Sequence, residues 1–141
     1  MGTLRSGTGS LRGKVQLTPL ALLVMRASAV VFIVFGIGKF ANHASETASF
    51  QAYGLPAPGV FTVLIGVIEI VGGVMLLLGI APRIAAIVLA GDMVGAIVLS
   101  GLLHGETVSL TLAPALLIAM IVVFTRPQAD ATPKARGAPR Q

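Results

Sequence analysis

Three ionisable side chains interrupt otherwise apolar stretches of this 141-residue chain: Arg26, Glu69 and Asp92. A guanidinium presents a planar fork that suits a carboxylate. One arginine facing two ionised acids leaves a net negative trio, which a proton shared between Glu69 and Asp92 would relieve. Such a proton suits proton-coupled transport or a quinone site. The plainer alternative is a buried ion pair that fixes helix register. His43 and His104 are candidate haem or metal ligands, but two loop histidines lack the rest of the shell a metal needs; otherwise they are interfacial polar residues. The chain has no cysteine, so disulfides, thiol redox chemistry and iron–sulfur ligation are excluded. No phosphate-cradling glycine loop, Ser/His/Asp set or HExxH pattern is present, so no self-sufficient catalytic site is legible.

The elements that must position these residues follow from composition. Hydrophobic residues make up 55% of the chain and charged residues 11%, with a mean hydropathy of +0.95. A soluble domain is about 25% charged, so composition points to a membrane. Four apolar runs, at 19–40, 58–80, 84–103 and 107–125, each match the roughly 20 residues a helix needs to cross a bilayer. They lack the alternation of barrel strands. The expected fold is all-α: an up-down bundle of four transmembrane helices, with a short interfacial segment around Phe50, Tyr53 and Gly54-Leu55-Pro56 between helices 1 and 2. Residues 1–18 and 126–141 read as mobile basic tails, and Pro114 is expected to kink the fourth helix.

The net charge is +5, and the positive residues concentrate in the tails and in the second loop at Arg83. That places both termini in the cytoplasm and argues for lipid rather than nucleic acid as the basic residues' partner. Ala27-Ser28-Ala29 imitates a signal-peptide cleavage site, but the apolar run continues to Gly38, which disfavours cleavage. Counted from the cytoplasmic end of each span, Arg26, Glu69 and Asp92 fall within about one helical turn of one another. They are therefore expected to form a cluster in the inner half of the bundle, with Lys39 pointing elsewhere and snorkelling at the outer surface. Gly66 and Gly73 share a face with Glu69, with Gly72 at its edge; Gly91 and Gly95 form a small-xxx-small pair suited to close packing or dimerisation.

Several motifs in order resemble the DoxX family: Arg26, then Gly36-Ile37-Gly38-Lys39-Phe40, Gly54-Leu55-Pro56-Ala57-Pro58, Gly66-Val67-Ile68-Glu69-Ile70-Val71-Gly72-Gly73, Leu76-Leu77-Leu78-Gly79 and Pro82-Arg83. The resemblance covers about residues 20–125. It implies a small four-helix protein of the bacterial plasma membrane in which Arg26, Lys39, Phe40, Glu69, Gly72 and Gly73 are motif positions, with Asp92 where the family often has a polar residue. It also implies a subunit or scaffold of a redox or oxidative-stress complex rather than an enzyme acting alone. A quinone is the implied cofactor; a superoxide dismutase and a sulfurtransferase are the implied protein partners. Two alternatives stand beside it: a small proton-coupled transporter using Glu69 and Asp92, as a homo-oligomer, and a purely structural membrane module.

Overall fold

A computed structural model describes residues 19–125, which form helices joined by short turns. α1 spans Pro19–Ala41, α2 His43–Ala52, α3 Pro58–Leu78, and α5 Thr107–Thr125. α4 begins at Pro82 and runs to Gly95, then continues as a π-helix over Ala96–Leu102. The fold is the expected one: among the described residues, α1, α3, α4 with its π segment, and α5 are each long and apolar enough to span a membrane. α2 is the short helix between the first two spans. The expected basic tails, 1–18 and 126–141, lie outside the described residues.

Local chemistry sets the boundaries. α3 and α4 each start with proline in the first turn, where the missing N–H costs nothing. α3 stops at Gly79, whose φ of 70° suits glycine; its N–H donates to the Leu76 carbonyl and that of Ile80 to Met75, closing the helix end. At the end of the π segment the Leu103 N–H donates to the Val98 carbonyl, five residues back. α5 runs without a break in helical assignment through Pro114.

The helices pack as two close pairs, α1 with α3 and α4 with α5. Gly36 and Gly73 hold the first pair together. A Cβ at Gly36 would lie 2.8 Å from the Gly66 carbonyl oxygen, and one at Gly73 2.8 Å from that of Ala29. Backbone approaches this close need a residue without a side chain. The pairs join through a packed apolar layer of Ala29, Phe32, Leu76, Ala86, Leu89 and Met120, all nearly or fully buried. Outside, Leu23, Val34, Ile37, Val67, Val71, Ile87 and Ile118 are exposed around the whole bundle. Apolar surface this continuous fits lipid rather than water.

Four antiparallel helices leave two distinct ends. The tail end carries the start of α1, the α3–α4 turn and the end of α5. The loop end carries α2 and the turn before α5. α2 has no buried residue and rests on the start of α3, where Thr47 Oγ1 meets Thr62 Oγ1 at 3.2 Å.

Candidate functional site

The acids come together through helix register. Gly72 of α3 packs against the Leu89 side chain of α4. Three residues back along α3 and three on along α4, at the same level, stand Glu69 and Asp92. Their side chains line the same cavity.

The cation beside them is Lys39. Its Nζ lies 3.2 Å from Glu69 Oε2 and 3.4 Å from Oε1, with the two side chains 13% and 5% exposed. This corrects the expected trio. Arg26 is exposed on α1 and pairs with neither acid among the described residues. The reason is helix offset. Gly36 faces Gly66 and Ile70, and Gly73 faces Ala29 and Ile33, so the level of Glu69 falls near residue 35 of α1. Arg26 lies nine residues away, roughly 13 Å along the axis, near the level where α3 ends. The helix ends are not flush, so depths counted separately from each end do not compare. Lys39 is one turn beyond residue 35, and a helical side chain leans toward the N-terminus, which carries its ammonium back to Glu69. The same offset moves the cluster from the inner half to the middle of the bundle.

Two buried oxygens of this cluster have no hydrogen-bond partner: Asp92 Oδ2 and Glu69 Oε2, the latter in ionic contact with Lys39 but outside hydrogen-bond geometry. Buried acceptors left this way are costly. Both acids line a cavity of about 450 Å³ between the helix pairs, on the loop-end side of the cluster. Phe32 and Phe35 of α1, Phe50 and Tyr53 of α2, and Phe61 of α3 give it aromatic walls. Beyond the floor, Ser100, Ser109, Glu46 and Glu106 add polar groups toward the mouth. Ser109 Oγ donates to Glu106 Oε2.

Gly91 and Gly95 serve no close helix packing within the chain. A Cβ at either meets nothing within 4 Å, and both line the cavity. Within the chain they do not pack against a helix; they widen the cavity. Gly66 instead sits under the Phe40 ring and Gly72 under Leu89. The histidines stand apart in role. His43 Nδ1 lies 3.5 Å from Thr47 Oγ1 on α2. His104 donates from Nδ1 to the Leu99 carbonyl oxygen at 2.7 Å and lays its ring 4.4 Å from that of Tyr53. Among the described residues no group of three or more His, Asp or Glu side chains is placed to hold a metal.

The DoxX family model matches residues 21–105, from the first turn of α1 to the turn before α5. The chain belongs to the DoxX family. It is 41% identical over 85 residues to an uncharacterised membrane protein of Mycobacterium tuberculosis, covering 60% of this chain and 52% of that protein. It is 32% identical over 77 residues to a Bacillus subtilis protein named putative oxidoreductase CatD, covering 55% of this chain and 56% of that one. The chain thus spans about half the length of these relatives. No solved structure matches. The DoxX match includes Lys39, Glu69, Asp92 and most of the cavity wall, and it ends before α5, which supplies Ser109, Leu112 and Leu116.

Residue spacing alone did not bring Phe32, Phe35, Ser100, Glu106 or Ser109 to the site. Phe32, Phe35 and Lys39 do recur at helical spacing, the one signal that pointed there.

Proposed function

We propose that this DoxX protein is the membrane subunit of a redox complex and that its cavity binds a quinone. The observation that carries the reading is the union of an aromatic cavity with Lys39, Glu69 and Asp92 at its floor. A volume of about 450 Å³ suits a small-molecule site, which runs from about 300 to 1,000 Å³. The residues fit the group. The Lys39 ammonium can donate to a ring carbonyl, and the orphaned Asp92 Oδ2 can accept from a ring hydroxyl. A quinone supplies two-electron, two-proton redox chemistry. The chain's own residues orient the ring between phenylalanines, hold a charge beside it and keep a proton within reach. Gly91 and Val88, exposed at the cavity edge, leave an apolar side for a lipid-dissolved molecule.

The name of the Bacillus relative supports an oxidoreductase setting. The protein works with partners in this reading; a superoxide dismutase and a sulfurtransferase are the ones the family resemblance suggests. The Lys and Arg residues of the tails and Arg83 support a cytoplasmic tail end in a bacterial plasma membrane, with α2 and the cavity mouth on the opposite side.

Tyr53 is the single tyrosine in a chain without tryptophan, and it lines the cavity. A Tyr53→Trp variant therefore reports on the site alone. In detergent, a short-chain quinone should quench its emission saturably, and Lys39→Met or Asp92→Asn added to it should weaken the apparent affinity at least tenfold. Quenching that is linear in quinone and indifferent to both changes refutes the reading. Tagged protein extracted gently should bring the complex with it, a dismutase or sulfurtransferase included.

A further inference from the structure

We infer that Glu69 and Asp92 form a proton-binding pair that communicates with water from one membrane face only, the face carrying α2, along a path lined by Ser100, Ser109 and Glu106. The inference deepens the cavity reading but does not depend on what organic molecule the cavity takes.

Stoichiometry comes first. Glu69 and Asp92 stand at one level of adjoining helices and line the same cavity, each with a buried oxygen that has no hydrogen-bond partner, so two ionised carboxylates there repel each other and a proton on one of them relieves the pair. The single ammonium of Lys39 already contacts Glu69. Among the described residues no other cation lines the cavity: the charged or titratable groups facing it are Lys39 from α1, Glu46 and Tyr53 from α2, Glu69 from α3, Asp92 from α4 and Glu106 ahead of α5. A second positive charge is therefore not at hand to neutralise the pair, and a proton does that work.

Sidedness follows from packing. Toward the tail end, the level beneath the acids is closed by Leu89 seated on Gly72, by Ala86 and Leu76, and by Met120, each at most 1% exposed. Among the described residues Ser28, next to Ala29 on α1, is the one buried polar side chain toward that end, so a proton finds a single hydroxyl there and not a polar path. Toward the loop end, the cavity begins at the acids themselves. Along it stand the Ser100 and Ser109 side chains, each mostly buried, and Ser109 is bonded to Glu106, which is exposed. Hydroxyls both donate and accept, so they pass a proton where apolar neighbours cannot. The π segment is part of this arrangement, because it sets Ala96, Leu99 and Ser100 on the cavity wall.

The test uses the fact that the chain has no cysteine. Single cysteines at Asp92, Ser109 and Ala86 are placed in full-length protein in proteoliposomes. Gln51→Cys on α2 and Thr125→Cys at the far end of α5 serve as references for the two faces. A charged, membrane-impermeant methanethiosulfonate should modify Ser109→Cys and Asp92→Cys from the Gln51 face at least tenfold faster than from the Thr125 face, and Ala86→Cys from neither. If Asp92→Cys does not assemble, Gly95→Cys carries the same test, since its Cβ meets open space on the cavity wall. Equal rates from both faces overturn the inference. So does modification by membrane-permeant N-ethylmaleimide alone, which would mean access from lipid. The proton itself is read with dicyclohexylcarbodiimide, which attacks protonated carboxyl groups. At neutral pH mass spectrometry should find the adduct on Glu69 or Asp92, lost in the Glu69→Gln/Asp92→Asn double variant; an unmodified pair overturns the proton. Failure of quinone quenching leaves these outcomes untouched, and failure of labelling leaves the quinone reading standing.

Discussion

Removal of the Lys39 side chain isolates the energetic logic of the cluster. In Lys39→Met the apolar stem is kept and the ammonium is lost, so the main change is that Glu69, whose side chain is only 5% exposed, faces the interior without its cation. Breaking a buried ion pair from one side costs about 3–5 kcal/mol, whereas replacing both partners by apolar groups of similar volume is often neutral. Lys39→Met should therefore destabilise the bundle by about 3–5 kcal/mol, Glu69→Met by a comparable amount, and the double variant by much less than their sum. Arg26→Met is the control. Arg26 is exposed and pairs with neither acid among the described residues, so its loss should stay within about 0.5 kcal/mol, the range of ordinary surface changes. The measurement is reversible unfolding in mixed micelles, with the four Lys39/Glu69 species forming a double-mutant cycle. A coupling below about 0.5 kcal/mol, the additivity error of such cycles, or a larger loss from Arg26→Met than from Lys39→Met, would refute the offset register on which the site is built.

Three further outcomes follow from packing. Gly73→Ala forces a Cβ to within 2.8 Å of a backbone oxygen on α1, so it should cost about 1–3 kcal/mol in the same assay. Gly91→Ala meets nothing within 4 Å and should be neutral or stabilising by up to about 1 kcal/mol, with no change in oligomeric state by light scattering; a loss of stability or of a dimer would show that Gly91 packs against another copy. Leu89→Ala empties the fully buried position over Gly72 and should cost about 2–5 kcal/mol.

The spans were legible because lipid makes a simple demand: about twenty apolar residues with every backbone group satisfied internally. α2 was legible from Phe50, Tyr53 and the Gly-Leu-Pro turn, residues that would be out of place in a span. Glu69 and Asp92 stood out because an acid within an apolar run is rare. Their partner was not legible, because pairing depends on the axial offset between α1 and α3, which Gly36 and Gly73 set through three-dimensional contacts. Lys39 was misread for a related reason: its Cα lies near the end of α1, while its side chain leans a turn back into the bundle. The π segment carries no sequence signature, and Gly91 and Gly95 have the same spacing whether they admit a helix or a cavity.

Cohesion alone does not explain the shape of this cluster. An ion pair kept only to fix register gains from dense packing and complete hydrogen bonding, because each unsatisfied buried oxygen lowers stability. Here two carboxyl oxygens lack hydrogen-bond partners, and the space beside them is an aromatic-walled cavity rather than side chains. Two glycines border that cavity where any larger residue would begin to fill it. The layer on the tail side, by contrast, is fully packed. Good packing on one side of the acids and a cavity on the other, within one small bundle, is the arrangement expected when the acids act on something that enters from the α2 face, and apolar replacement of the whole trio should then preserve the fold while abolishing quinone quenching.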